Sequence, residues 1–117
     1  MRYLLMIYTP EQDPATVPAD QRAAVSEAYN VFTRAARERG VMLGGEALQP
    51  TSAATTVKVR EGRTIVTDGP YAETKEALGG YYLVETKDID EALELAGRIP
   101  GAQWGTIEVR PIWERPG

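Results

Sequence analysis

Two short segments of the chain are apolar at nearly every position, namely residues 2–8 (RYLLMIY) and 79–85 (GGYYLVE). Both are rich in residues that favour extended backbone, so both are predicted to be β-strands. Because successive side chains of a strand point to opposite faces, each of these strands presents apolar side chains on both faces. We therefore expect both to be central strands of one sheet.

An apolar stripe at helical spacing predicts a long helix after the first strand. Its members recur at spacings of four, three and four residues and are Val25, Tyr29, Phe32 and Ala36. The hydroxyl of Thr16 is expected to cap the start of this helix. Gly40 is expected to stop the helix after Arg39, because glycine adopts the left-handed conformation found just beyond helix ends.

A shorter helix is predicted after the second apolar segment. Asp88 is expected to cap it, and Glu91, three residues on, is the reciprocal partner of a capping box. Pro100 and Gly101 end the pattern. The buried side of this helix is predicted to consist of Ile89, Ala92, Leu93, Ala96 and Ile99.

Four further segments are predicted to be extended: residues 41–48 (VMLGGEAL), 55–60 (TTVKVR), 64–67 (TIVT) and 106–113 (TIEVRPIW). The second and third flank Glu61 and Gly62, which predicts a hairpin. Gly44 and Gly45 interrupt the first segment, which indicates a bulge or a close approach of another group to the backbone. Pro111 marks the last segment as an edge strand.

This order of elements is typical of an α+β domain with a ferredoxin-like (split βαβ) pattern and an inserted hairpin, and we expect one domain over residues 1–117. Right-handed crossovers place both helices on one face of such a sheet. The opposite face would then expose apolar side chains, which soluble monomers seldom do. We therefore predict a homodimer whose sheets pack face to face as a dimeric α+β barrel, with clefts between them. The alternative is that the hairpin folds over its own sheet.

The chain contains no cysteine and no histidine. These absences exclude disulfides, thiolate nucleophiles, Ser-His-Asp triads and metal centres built on Cys or His. Acid–base chemistry would therefore fall to Asp, Glu, Lys or Tyr. No cofactor and no metal are predicted.

The charge of the chain argues against direct nucleic-acid binding, because the formal net charge is −4 and the pI is near 4.9. Arg34, Arg37 and Arg39 complement the dipole of the long helix, and an anion-binding patch is the alternative interpretation. The first apolar run, about seven residues long, is too short for a signal-peptide core or a membrane span. We therefore expect a cytoplasmic protein that does not bind membranes.

Residues 68–76 read DGPYAETKE, and residues 78–82 read LGGYY. Together with residues 44–50, 55–60 and 105–111, they resemble the YCII-related proteins, in particular the branch called DGPF after this signature. Tyr71 stands where the name of that branch has Phe. The likeness covers nearly the whole chain, and it implies a ferredoxin-like fold and a dimeric α+β barrel.

The resemblance implies little settled biochemistry. Members of the broader family often carry a His and an Asp proposed as an active-site pair, and this chain, having no histidine, lacks that pair. Members of the DGPF branch occur fused to, or encoded beside, extracytoplasmic-function sigma factors. This association implies a link to sigma-factor-dependent transcription and makes a sigma factor a candidate partner.

The DGPY segment has two interpretations. In the structural one, Asp68, Gly69 and Pro70 form a rigid turn, because Pro70 restricts its own backbone and that of the residue before it. In the functional one, Asp68 is a general base at the mouth of a cleft, Lys75 is its electrostatic partner, and Tyr71 is a proton donor or stacking platform.

The functional interpretation also predicts a set of ligand contacts near this segment. They are Gly44, Gly45, Gly69, Pro70, Glu73, Glu76, Gly79 and Gly80, whose backbone or carboxylate groups would meet a small molecule. As an alternative, Glu73 and Glu76 would chelate a hard divalent cation together with Asp68.

Three function classes follow: a ligand-sensing or partner-binding module, a small-molecule enzyme, and a purely structural dimer module. The absence of histidine favours the first. The substitution Asp68→Asn separates them, because it would abolish turnover in an enzyme and only lower stability in a structural module.

Overall fold

The computed structural model describes residues 1–13 and 15–115. The strands are β1 (Arg2–Pro10), β2 (Met42–Ala47), β3 (Thr55–Arg60), β4 (Arg63–Asp68), β5 (Glu76–Glu85) and β6 (Thr106–Pro111). The helices are α1 (Ala19–Glu38) and α2 (Ile89–Arg98), and short 3-10 turns cover Thr51–Ala53 and Pro100–Gln103. No helix in the described part of the chain is long and apolar enough to cross a membrane.

An antiparallel four-stranded sheet with the order β2-β5-β1-β6 forms the body of the protein. The two strands that are apolar on both faces, β1 and β5, lie at its centre, as predicted from their sequence. Edge positions fall to β2, which carries Gly44 and Gly45, and to β6, which carries Pro111. The α+β class is therefore confirmed.

The hydrophobic core lies between one face of this sheet and the two helices. Tyr3, Leu5 and Ile7 project from alternate positions of β1 and are buried. They pack with residues of both helices, which belong to the same buried cluster: Phe32, Ala36, Ala92, Leu95, Ala96 and Ile99. Both helices therefore cover the same face of the sheet.

Among residues 1–13 and 15–115, no helix or strand forms a layer over the other face of the sheet. Its central side chains are the half-buried Leu4, Met6, Tyr8, Tyr81 and Leu83. They form cross-strand pairs, since Leu4 lies opposite Leu83 and Met6 lies opposite Tyr81. We call this apolar surface the bare face; its rim carries Glu46, Glu108 and Arg110, which pair with these strands from β2 and β6.

The predicted hairpin is present as a separate two-stranded sheet, β3–β4, which we call the arm (residues 55–68). Every residue of the two strands is exposed except Thr56. The chain is correspondingly broad and thin, measuring 49 × 47 × 18 Å. The arm thus extends from the body, and the alternative in which it folds over its own sheet is wrong for the single chain.

Several local predictions need correction. α1 begins at Ala19 with Pro18 at the capping position, while the Thr16 hydroxyl donates to the Asp13 carbonyl instead of capping the helix. On α2, Leu93 is 51% exposed and Leu95 is buried, because the helix faces the core with positions 92, 95, 96 and 99. Ile89 is also exposed.

The predicted end of the long helix and the predicted cap of the short one are both present. The backbone N–H of Glu91 donates to the Asp88 carboxylate at 2.9 Å, so the Asp88 cap is confirmed. Arg39 forms ion pairs with Glu91 and Glu94 of α2. Gly40 has a φ of +75°, the left-handed conformation expected after a helix.

Candidate functional site

A cavity of about 310 Å³ lies between α1 and one end of the β2–β5 pair. We call it the α1 cavity. Its lining combines tyrosine and threonine side chains with glycine backbone: Ile7, Thr9, Tyr29, Thr33, Gly45, Glu46, Ala47, Gly79, Gly80, Tyr81 and Tyr82. This volume is at the lower end of the range found for small-molecule sites, roughly 300–1,000 Å³.

Five hydroxyl-bearing residues line the α1 cavity, and the hydroxyls of three of them, Tyr29, Thr33 and Tyr82, form hydrogen bonds around it. The Thr33 and Tyr82 hydroxyls are 3.0 Å apart and share a hydrogen bond. The Tyr29 hydroxyl accepts a hydrogen bond of 3.1 Å from the backbone N–H of Gly101. A hydroxyl can both donate and accept, so these groups can bind either a donor or an acceptor of a ligand.

The secondary structure explains why these hydroxyls meet. Tyr29 and Thr33 are four residues apart on α1 and therefore lie on one face of the helix. Tyr82 projects from the helix-facing side of β5, where its ring contacts Phe32 with the centroids 5.1 Å apart. Partial burial of the Tyr29 phenol raises its pKa, and the N–H of Gly101 opposes that shift only in part. Tyr29 is thus held as a neutral donor and acceptor.

The glycines at the α1 cavity have different structural roles. A Cβ at Gly45 would lie 2.6 Å from the Tyr82 ring, and a Cβ at Gly80 would lie 2.9 Å from the Glu46 carbonyl oxygen. Packing of β2 on β5 alone therefore requires glycine at both positions. Gly79 is less crowded, with Thr9 as the nearest contact at 3.8 Å, and its backbone faces the cavity. Gly44 does not line the cavity, although it neighbours Gly45 on β2.

A shallow groove on the surface of α1 adjoins the α1 cavity. It is lined by Asn30, Thr33, Arg34, Arg37 and Glu38, so Thr33 belongs to both. Within the described residues, neither Arg34 nor Arg37 forms an ion pair. The two guanidinium groups are consequently available at the approach to the cavity, whereas Arg39 is engaged by α2.

The DGPY segment lies elsewhere, at the base of the arm. Asp68 is the last residue of β4 and its side chain is exposed. Gly69 has a φ of +108°, its N–H donates to the Ala54 carbonyl at 2.8 Å, and its carbonyl accepts from the Thr56 hydroxyl at 2.7 Å. These bonds join the two strands of the arm at the point where the chain leaves it.

Residues after this turn lie along two surface grooves beside the Thr51–Ala53 turn. Pro70 and Tyr71 line a groove of about 510 Å³, and Gly69, Pro70 and Glu73 line another of about 360 Å³. Tyr71 is 84% exposed, and its ring centroid is 5.7 Å from the Lys58 ammonium, a cation–π contact between the arm and the segment that follows it. Tyr71 is therefore oriented by the arm and not by the α1 cavity.

The structure separates the predicted site residues into two groups. Gly45, Gly79 and Gly80 line the α1 cavity, and Gly69, Pro70, Tyr71 and Glu73 line the grooves at the DGPY segment. Asp68 and Lys75 are exposed and line none of these cavities, and Glu76 is half-buried at the start of β5. The single chain thus gives Asp68 and Lys75 no desolvated surroundings. Across residues 1–13 and 15–115, no three Asp, Glu, His or Cys side chains cluster as metal ligands.

Comparison with known proteins identifies the family. A model of the YCII-related domain matches residues 1–115. The chain belongs to the YCII-related family. It is similar to an uncharacterized protein of Rhizobium meliloti (strain 1021), with 36% identity over 114 residues that cover 96% of this chain and 92% of that protein. The family resemblance noted at residues 68–82 is therefore confirmed, while membership of the DGPF branch stays a prediction.

In this YCII-related chain, sequence reasoning missed the hydroxyls of the α1 cavity. The sequence pattern places Tyr29 in the predicted apolar stripe of α1 and Tyr82 in a predicted central strand. Both assignments describe the rings correctly, since Tyr29 and Tyr82 pack against the core. A signal was nevertheless present, because a buried tyrosine needs a partner for its hydroxyl.

Proposed function

We propose that this YCII-related protein is a cytoplasmic, homodimeric module that binds a small molecule in the α1 cavity. The observation that carries the proposal is the convergence of the Tyr29, Thr33 and Tyr82 hydroxyls on one cavity between helix and sheet. Small-molecule sites combine an apolar lining with a few converging polar groups, and this cavity has both.

The lining restricts the class of ligand. No Lys or Arg lines the cavity itself, and the side chain of its one acidic lining residue, Glu46, is exposed and shares the bare face of the sheet with Tyr81. A buried anion would therefore lack a counter-charge, which disfavours a ligand that places its charge deep in the cavity. We propose a compact ligand with an uncharged body that exchanges hydrogen bonds with the hydroxyls. A charged substituent would point outward, towards Arg34 and Arg37.

The homodimer is part of this proposal. The strand order β2-β5-β1-β6 and the bare face support a ferredoxin-like fold in which a second sheet covers Leu4, Met6 and Leu83. Two such sheets packed face to face would form the dimeric α+β barrel. In this arrangement the helices, and with them the α1 cavity, remain on the outside of each sheet.

We rank binding above catalysis for two reasons. The chain has no histidine. Asp68 and Lys75 are exposed in the single chain, whereas a general base usually lies in a cleft whose burial and neighbouring charges shift its pKa. Under this proposal the DGPY segment organises the arm. Ligand sensing by a cytoplasmic dimer is also compatible with the sigma-factor link that the DGPF resemblance implies, with occupancy of the α1 cavity controlling the association.

A thermal-shift screen of small metabolites, run on wild type and on Thr33→Val and Tyr29→Phe variants, tests the proposal. A ligand of the α1 cavity is expected to raise the Tm of wild type and to lose most of that increase in both variants. Each variant is compared with its own ligand-free Tm, because Tyr29→Phe also leaves the Gly101 N–H unpaired.

Tyr71→Phe is the matched control, since it removes a phenol at the arm and leaves the cavity intact. A ligand whose stabilisation is unchanged in Thr33→Val and Tyr29→Phe but lost in Tyr71→Phe would move the site to the DGPY segment. Stabilisation by no compound in a broad metabolite set would count against a ligand site altogether.

A further inference from the structure

We infer that the arm docks on a second copy of this chain through the face that carries Val57, Val59 and Val66. The inference rests on the proposed homodimer and goes beyond it by giving the arm a place in the interface. The two faces of the arm provide the first argument.

The arm has one apolar and one basic face. Val57 lies opposite Val66 and Val59 lies opposite Thr64, so these four side chains share a face. The other face carries three cations around Ile65, namely Lys58, Arg60 and Arg63. Val57 and Val59 are each 59% exposed and Val66 is 62% exposed, so the apolar face is uncovered in the single chain. We call it the valine face.

An isolated hairpin needs support from another layer. A two-stranded hairpin is marginally stable in water unless a further strand or a helix packs on it. The strands β3 and β4 receive no such cover from the rest of the described chain, because they are exposed at every position but Thr56. Two hydrogen bonds nevertheless close the base of the arm: the Gly69 N–H donates to the Ala54 carbonyl, and the Thr56 hydroxyl donates to the Gly69 carbonyl. A hairpin with a closed base and an uncovered valine face therefore points to a partner that covers it.

A second copy of the chain is the occupant that the area favours. Four strands about 4.8 Å apart and about six residues long give the bare face a projected area of roughly 400 Å². A standard interface buries about 800 Å² of accessible surface on each partner, which is about twice the projected area of the bare face. The valine face has a projected area of roughly 200 Å² by the same geometry. In a symmetric dimer each copy buries its own valine face and also the surface that the partner's arm covers, so the two arms add about twice this area to the interface of each copy.

Charge favours the same occupant. The chain carries a formal net charge of −4, and two such chains repel each other. Lys58, Arg60 and Arg63 make the arm the basic part of this acidic protein, and the rim of the bare face presents Glu46 together with the Glu108–Arg110 ion pair. These cations lie on the face opposite the valines, so an arm docked through its valine face keeps them in solvent and still brings positive charge close to the acidic second copy, which reduces the repulsion between the two copies.

Two measurements on the full chain test the inference. Hydrogen–deuterium exchange of the amides in residues 55–68 is followed above and below the concentration at which the dimer dissociates. In parallel, sedimentation velocity gives the dimer Kd of wild type, of the double variant Val57→Thr with Val66→Thr, and of the control Ile65→Thr on the opposite face. Threonine keeps the shape and strand preference of valine, so the arm itself is retained.

We expect the amides of residues 55–68 to exchange slowly with deuterium in the dimer and faster when dilution dissociates it. We also expect the double variant to raise the Kd by about tenfold or more, since it places a hydroxyl in the interface at two valine positions of each copy, while Ile65→Thr changes the Kd by less than about twofold.

A wild-type dimer whose arm exchanges rapidly at all concentrations, and whose Kd is unaffected by the double variant, would overturn the docking of the arm and leave the proposed homodimer standing. An equal loss of affinity in Ile65→Thr would refute the assignment of the valine face. A wild-type protein that stays monomeric at hundreds of micromolar would remove both proposals.

Discussion

The hydroxyl of Tyr29, near the middle of α1, accepts a hydrogen bond from the backbone N–H of Gly101, 72 residues further along the chain. The contact is close because residue 101 has no side chain: a Cβ there would lie 2.7 Å from the Tyr29 oxygen and 3.1 Å from a methyl group of Ile7. Gly101 thus sets the position of Tyr29 at the α1 cavity.

Gly101→Ala is therefore expected to destabilise the protein by about 1–3 kcal/mol, as overpacking of a core does. In the double variant with Tyr29→Phe, part of this cost is expected to disappear, because the oxygen that meets the new methyl group is gone. Urea denaturation of the four proteins of this cycle measures the coupling. Strictly additive effects would contradict the contact as the source of the cost.

A second prediction concerns the turn at the base of the arm. Gly69 has a φ of +108°, and a Cβ on it would meet nothing within 4 Å. The methyl group of Gly69→Ala thus meets no steric clash and strains only the backbone. We expect it to lower the free energy of unfolding by about 1–3 kcal/mol. Gly44→Ala is the matched control, because that site is equally open and lacks a positive φ. Equal Tm values for the two variants would rule out a strained turn.

The features that sequence patterns predicted well are local or depend on one period. The continuous apolar runs in β1 and β5 predict the central strands because a strand apolar on both faces has to be covered on both faces. The Asp88 cap is predictable because it depends on residue spacing alone, whereas the Glu91 carboxylate accepts from the Lys87 N–H and not, as a capping box predicts, from the Asp88 N–H. The sequence pattern does not fix which side of α2 faces the core. Leu93 and Leu95 are both apolar, and only the packing of α2 decides that Leu95 is buried.

The candidate site was harder to predict because it is assembled from distant parts of the chain. Thr33 and Tyr82 are 49 residues apart in sequence, and their shared hydrogen bond exists only after α1 has packed on the sheet. The dense run of ionisable residues at 68–76 is typical of a reactive site, but Asp68 and Lys75 in this run are exposed in the single chain. Closeness in sequence is thus a poor guide to closeness in a cavity.

Glu11 provides a prediction about pH. Its carboxylate accepts hydrogen bonds from the Thr51 hydroxyl and from the Thr51 backbone N–H, the latter at 2.9 Å. The hydroxyl bond, and then the backbone bond, lower the pKa of Glu11 below its ordinary value of 4.5. Because the folded-state pKa is depressed, the stabilisation is present above pH 4.5 and is lost as the pH falls through the folded-state pKa.

The chemical shift of the Thr51 amide is expected to titrate with a midpoint below 4.5 in an NMR pH series. Glu11→Gln keeps an oxygen acceptor and removes the titration, so its Thr51 amide is expected to shift little over the same range. A midpoint at or above 4.5 in wild type would contradict the hydrogen bonds as the cause.

The proposed homodimer makes the last prediction. Leu4 is half-buried on the bare face and lies between Leu83 on β5 and Arg110 on β6, with no carboxylate directly opposite it. Leu4→Lys leaves the single chain free to extend the new ammonium into water. In a dimer the same group would be buried against a second sheet without a partner, at a cost of roughly 3 kcal/mol or more. Sedimentation velocity at tens of micromolar is therefore expected to find a dimer for wild type and a monomer for the variant. Leu93→Lys, on the exposed surface of α2, is expected to remain dimeric, and a variant at Leu4 that also does so would place the interface elsewhere.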